Sequence, residues 1–338
     1  MTAGTTTYTS PGISPRTTAY AAVEMLKYAN AVVVLDKFGQ TKPMPKNKGQ
    51  VIKFRRPNTF SAASTPLVEG VTPSATQFSY TDVTANLRQY GMVVEITDVI
   101  ADTHEDPVLN DAAQQCGDNI GRTIEFLTYG VVKAGTSVQY SNGALRTSVN
   151  TPIALSKLRA CVRGLMSQKA MPITRILDGS PNYDVHPVEA SYIAVCHTDL
   201  EADIRGLPGF IPVAGYGQRK TIHDRELGTV ENIRFVTSPD LAPFADGGAA
   251  KAGSGVTMLS TSGTLADVYP ILIFGQDAYG TVPLKGFGAI DPTIIPVGTK
   301  TKDDPLGQRG MVGWKTWFCA VILNDAWMTR LEVAATAL

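Results

Sequence analysis

The most reactive-looking string in the chain is His197-Thr198-Asp199-Leu200-Glu201-Ala202-Asp203. His197 and Glu201 stand four residues apart, a spacing that puts an imidazole and a carboxylate on one helical face, where they could share a metal ion. The same letters also open a helix. Thr198 with Glu201 three positions on is the pattern of a capping box, and Asp199 suits the positive end of a helix dipole. Helix initiation thus accounts for every polar residue of the string except His197. Asp102, His104, Glu105 and Asp106 make a second polar cluster, which leads directly into a helix start at Pro107. Other chemistries lack their letters. The chain has no GxxxxGK[ST] loop and no GxSxG elbow, and Gly286-Phe287-Gly288 is followed by Asp291 where the third glycine of a dinucleotide fingerprint belongs. Cys116, Cys161, Cys196 and Cys319 form no CxxC pair, so they suggest neither zinc nor redox chemistry and are expected to stay reduced. The residues call for no catalytic machinery, no cofactor and no metal.

A different signal is written in charge. Lys42, Lys46, Lys48, Lys53, Arg55 and Arg56 crowd one stretch, but only Phe54 is interleaved as an aromatic, so the run fits a protein partner better than a nucleic-acid backbone. Over the whole chain 30 basic residues balance 30 acidic ones, which argues against a global electrostatic grip on DNA or an anionic membrane. The balance hides segregation. Residues 1–60 carry nine basic and two acidic side chains, 61–130 two and ten, 131–180 seven and one, and 181–338 twelve and seventeen. Such blocks can pair within one fold or between copies of it.

The elements that must position these groups follow from pattern. Ser14 and Pro15 start a helix whose apolar stripe (Tyr20, Val23, Leu26, Val33) runs to Phe38. Residues 51–56 alternate as a strand ended by Pro57, and 83–99 reads as the returning strand. Between them lies a tip of small residues with Pro66, Gly70 and Pro73, so 50–100 is a long two-stranded excursion that must pack on something else. A helix of about 42 Å is predicted over 107–134 with Val108, Ala112, Cys116, Ile120, Ile124, Leu127 and Val131 on one face, and another begins at Thr151-Pro152. Beyond 190 come short strands at 192–196, 233–237, 268–274 and 281–284, a helix at 198–206, and a buried strand at 314–323. The class is α+β. No apolar run is long enough to span a bilayer as a helix.

This layout, together with the strings KPMPKNKGQVIKFRR, TPLVEGVTP, YGMVVEITDV, DTHEDPVL, YIAVCHTDLEADIRGLPGF, VYPILIFGQDAYGTVPLKG and DPLGQRGMVGWKTWF, resembles the major capsid proteins of tailed bacteriophages. The resemblance runs through residues 40–335. It implies the shell fold shared by tailed phages and herpesviruses, with an N-terminal arm at 1–49 and an extended β-hairpin loop at 50–101. It further implies a peripheral domain with a spine helix at 102–189, an axial domain at 190–312, and a C-terminal return to the peripheral domain at 313–338. The implied function is self-assembly into hexamers and pentamers of an icosahedral head enclosing double-stranded DNA, in the virion and assembled in the bacterial cytoplasm, with no enzyme activity. A scaffolding protein is expected as a separate chain because this one starts at the arm; a portal, DNA held without sequence preference and, in heads that carry one, a decoration protein complete the partners. The expected assembly residues are Lys53, Arg55, Arg56, Glu69, Glu95 and Asp98, with some of their ionic partners on an adjacent copy. Two other readings remain open on the residues: a metal-dependent enzyme built on His197 and Glu201, and a soluble ligand-binding β protein.

Overall fold

A computed structural model of the chain describes residues 33–45, 47–67, 69–103, 108–177, 185–217, 220–252, 257–283, 290–300 and 304–338. The expected helix from Ser14 and the cluster at His104, Glu105 and Asp106 lie outside the described residues, apart from the former's last positions. In chain order the elements are β1 (Gln40–Thr41), β2 (Val51–Pro57), β3 (Tyr80–Asn86), β4 (Arg88–Thr97), α1 (Asp98–Thr103), α2 (Val108–Lys133) and β5 (Val138–Tyr140). Then come α3 (Leu155–Ser167), β6 (Ile173–Leu177), β7 (Val185–Cys196), α4 (Glu201–Arg205), β8 (Phe210–Pro212), β9 (Glu226–Val230) and β10 (Ile233–Thr237). The chain ends with β11 (Val268–Phe274), β12 (Tyr279–Pro283), β13 (Ile290–Ile295), β14 (Arg309–Ile322) and β15 (Met328–Ala334).

Eight strands form the larger sheet, in the order β5-β15-β11-β7-β10-β9-β8 with β6 paired to the first half of β7. Its central strands are apolar at consecutive positions because both faces are covered. Along β11, Ile271 and Ile273 point to a core shared with Leu158, Cys161 and Leu165 of α3, while Leu272 and Phe274 point to a core shared with Tyr129 and Val132 of α2. The smaller sheet is organised by β14, which pairs with β4, β12 and β13. Against one face of it lies the first half of α2, where Ala113, Cys116 and Ile120 meet Ile96, Val312 and Trp314. One 26-residue helix, about 39 Å long, therefore serves two cores and ties the sheets together.

The buried face of α2 differs from the expected stripe. Its centre runs through Cys116, Ile120, Glu125, Thr128 and Val132, whereas Ile124, Leu127 and Val131 are only half-buried. A carboxylate stands in the middle of the face because it has backbone donors to satisfy it: Glu125 accepts from Val34 N–H at 3.0 Å and from Leu35 N–H at 3.0 Å. The returning strand, read as one unit over 83–99, divides at Leu87. Its first part pairs with β2; its second joins β14 for ten residues, from Arg88↔Phe318 to Thr97↔Arg309. The inward positions change phase at the break, from Val83, Ala85 and Leu87 to Tyr90, Val94 and Ile96, a slip of one residue that reading 83–99 as one strand passes over. The sheets also interleave along the chain: β14 lies against α2, whereas β15, only six residues later, runs in the larger sheet between β5 and β11.

Candidate functional site

Among the described residues, the most distinctive surface is the hairpin β2–β3 and what it carries. Seven residue pairs, from Val51↔Asn86 to Pro57↔Tyr80, make its ladder. The base is seated on the body. Phe54, Ala85 and Leu87 bury against Met44 and Val282, and Gly280 of β12 allows the approach, since a Cβ there would stand 3.0 Å from Phe54 Cζ. Burial of a phenylalanine of this kind contributes about 1.5–3 kcal/mol.

At the far end the ladder stops, and the described residues of 58–79 are in neither helix nor strand and are exposed at every position. The root of this tip is closed by Asn58, whose N–H donates to Ser79 O at 3.0 Å and whose Oδ1 accepts from Thr81 Oγ1 at 2.7 Å. An aromatic ladder follows on the surface: Phe60 and Phe78 with ring centroids 5.9 Å apart, Phe78 edge-on to Tyr80 at 4.6 Å, and the Arg55 guanidinium 5.1 Å from the Tyr80 ring. Leu67 is 77% exposed and Val71 63%. Large apolar side chains held outward on a protruding ribbon mark a surface built to be covered by a partner.

The six residues expected at an assembly surface are dispersed over this region, and two of them are paired within the chain. Arg55 Nε and Nη2 donate to the two carboxylate oxygens of Asp82, directly across the ladder, at 2.8 and 2.9 Å. That bond, above all other influences, holds the Asp82 carboxyl below its ordinary range. Glu95 accepts from Arg309 Nη1 at 3.2 Å, a diagonal pair across β4 and β14 in which Glu95 stands opposite Met311 and Arg309 opposite Thr97. For Arg55 and Glu95 the ionic partners are thus neighbours on adjacent strands, which sequence separations of 27 and 214 residues concealed. Arg56 lies over the Trp327 ring, 5.6 Å from its centroid, and fastens the hairpin to the body. Lys53 is exposed, and its carbonyl accepts from Lys42 Nζ at 2.9 Å. Glu69 sits on the exposed tip. Asp98 starts α1, accepting from Val99 N–H at 2.8 Å through Oδ1. Between hairpin and body, Lys42, Phe54, Arg56, Asp277, Leu323 and Trp327 line a cleft of about 340 Å³.

Since Arg55 acts within the ribbon, reversing its charge alone is expected to loosen the hairpin and speed protease cleavage in 58–79. Adding the reciprocal change, Asp82→Arg in an Arg55→Asp background, is expected to restore the wild-type cleavage rate. Limited proteolysis of the three proteins checks this.

The enzyme-like string resolves differently from its sequence reading. The helix is opened by His197, not by Thr198: His197 Nδ1 accepts from Asp199 N–H at 3.1 Å, and Nε2 lies 3.1 Å from Pro239 O. Glu201 does not reach back to form a capping box. Its Oε1 accepts from Thr237 Oγ1 at 3.2 Å and its Oε2 is 3.9 Å from Arg205. His197 and Glu201 are turned to different partners, and among the described residues no group of three His, Cys, Asp or Glu side chains is placed to hold a metal ion. No described helix is long and apolar enough to cross a membrane.

Comparison with solved structures places this fold. The chain is similar to the capsid of Ralstonia phage GP4 (15% identity, 90% of each chain covered, TM-score 0.63). It is also similar to the head of Helicobacter pylori bacteriophage KHP40 (11% identity, 89% of this chain and 88% of that one, TM-score 0.59). A third likeness is to the capsid of cyanophage P-SCSP1u (13% identity, 90% and 89%, TM-score 0.57). Identities this low speak for the fold alone, and no curated protein sequence matches. Family membership comes from the sequence itself: the family model described as phage capsid protein matches residues 80–331, which take in the hairpin's return, the long helix and most of both sheets. This chain therefore belongs to the phage capsid protein family, structural proteins of bacteriophage heads, and it has the fold of their shells.

Proposed function

We propose that copies of this chain join into hexamers and pentamers, which close into the head around double-stranded DNA, and that the 50–101 excursion reaches from each copy onto a neighbour. The observation that carries the reading is the tip at 58–79, which presents Phe60, Leu67, Val71 and Phe78 to solvent beyond the end of its ladder. In this reading 1–49 is the arm, α2 is the spine of a peripheral domain at 102–189, 190–312 is the axial domain, and 313–338 closes the peripheral domain. Lys53, Arg55, Arg56, Glu69, Glu95 and Asp98 line or brace the contact, with Arg55 and Glu95 acting through their partners in the same chain. DNA is contained and not read, consistent with a formal net charge of zero. A scaffolding protein, a portal and a decoration protein are partners of the assembling shell in the host cytoplasm.

Electron microscopy and sedimentation of the purified protein, alone and co-expressed with its scaffolding protein, test this. Shells, tubes or five- and six-fold rings are expected. A monomer under every assembly condition, scaffold included, overturns it.

A further inference from the structure

The segment 33–38 is the point at which the chain leading from residues 1–32 enters the described body. It is wedged between α2, β12 and the start of β1, with Val34 and Leu35 fully buried and Phe38 nearly so. Three side-chain contacts hold its backbone. Glu125 of α2, itself fully buried, accepts from the N–H groups of Val34 and Leu35, and Tyr279 of β12 donates its hydroxyl to Leu35 O at 2.5 Å. The remaining feature is out of place: Asp36 turns its carboxyl inward, where Oδ1 is buried and has no hydrogen-bond partner. An inward-turned carboxylate with an unsatisfied oxygen, within electrostatic reach of a second buried carboxylate, is costly when both are charged and much less so when one of the two is protonated.

We propose that Glu125 and Asp36 form a proton-operated latch, which grips the 33–38 segment when the pair carries a proton and slackens when both carboxyls are ionised. The surrounding charges do not offset the pair. On α2, Arg122 is directed to Asp240 at 3.6 Å, and Tyr129 donates to Ala242 O. On the wedged segment, Lys37 is bonded to His223 at 3.3 Å, and burial and Lys37 push that imidazole towards its neutral form. From β12, Tyr279 has its phenol pushed well up by burial, and the Thr281 hydroxyl donates to the Asp36 carboxyl, which opposes but does not cancel the effect of burial there. Burial, opposed by the two backbone bonds and reinforced by Asp36 and Asp240, pushes the Glu125 carboxyl up to about 7; burial likewise raises Asp36.

A carboxyl whose value is raised on docking favours the docked state at low pH. Grip is complete below the ordinary value of 4.5 and is lost as pH rises through about 7. The latch lies within one chain, so its success or failure is independent of whether shells form. The test is hydrogen–deuterium exchange on the full-length protein, corrected for the intrinsic pH dependence of exchange, at the amides of Val34 and Leu35. Wild-type protection is expected to fall about tenfold from pH 6 to pH 8, as one proton's linkage requires, while the amides of β10 stay constant. In Glu125→Gln the fall is expected to vanish. In Asp36→Asn, which removes the like charge and leaves the Glu125 contacts in place, the fall should move to lower pH, with protection above wild type at the midpoint of the wild-type curve. A flat wild-type profile, an undiminished fall in Glu125→Gln, or an unmoved profile in Asp36→Asn overturns the latch.

Discussion

Replacing Glu332 by alanine is expected to lower the stability of the chain by about 3–5 kcal/mol, the range measured when one partner of a buried ion pair is removed. Glu332 of β15 is fully buried and receives two guanidinium groups: Arg146 through Nε and Nη2, both at 2.7 Å, and Arg330 through Nε at 2.8 Å. Neither arginine has a ready substitute. Arg330 donates onward to the carbonyls of Lys133 and Gly135 at the end of α2, and the Arg146 guanidinium lies 3.4 Å and Lys133 Nζ 4.0 Å from the centroid of the Phe244 ring. Without the carboxylate, three cations share a space with few counter-charges, at the very joint where the long helix meets the larger sheet. Thermal unfolding should show a drop on the order of 10 °C. The double variant Arg146→Ala/Glu332→Ala should cost less than the two single changes added together, by more than about 1 kcal/mol, because the pair is coupled. Strict additivity would mean that Glu332 is held by packing and not by charge.

Glu332 also shows what a linear sequence conceals. Arg330 and Glu332 are two apart and so share one side of a strand, a usable hint, but the strand reads as an ordinary amphipathic one in which polar residues face water. In the structure every residue of β15 is buried, and the polar ones survive because Arg146, from a loop 186 residues away, comes to meet them. Glu125 and Glu226 pose the same problem. Glu226 accepts from Tyr216 Oη and Ile222 N–H, both at 2.6 Å, partners supplied by the preceding loop, so β9 was invisible to a search for apolar runs. Where burial is apolar on two faces, as along β11, pattern and structure coincide at 268–274, and β10 was legible at 233–237 through Ile233, Phe235 and Val236 although it also buries Arg234. The hairpin was legible for a different reason. Its β2 strand alternates and ends at a proline, and the low content of core-building residues in the tip is a property of composition that no tertiary contact could reverse. What composition could not supply was the identity of each ionic partner, since Asp82 and Arg309 become neighbours of Arg55 and Glu95 only through strand register.

Shortening the tip separates folding from assembly more sharply than any point change. Replacing 58–79 with a two-residue Asn-Gly turn, which suits a tight hairpin joining Pro57 to Tyr80, removes Phe60, Leu67, Val71 and Phe78 while retaining the seven-pair ladder and the seat of Phe54. None of the five described hydrophobic cores draws on 58–79, so the unfolding temperature is expected to stay within a few degrees of wild type. Assembly is expected to fail. A shell multiplies each contact by the number of copies, and affinity gained through many modest contacts collapses when every copy loses the same one. Sedimentation and negative-stain microscopy should therefore find the shortened protein as small species under conditions in which wild type forms particles, with circular dichroism unchanged. Normal shells from the shortened protein would show the tip to be dispensable and move the contact to the body of the chain. Loss of the folded signal along with assembly would mean instead that the tip stabilises the monomer, a role its exposed side chains give no reason to expect.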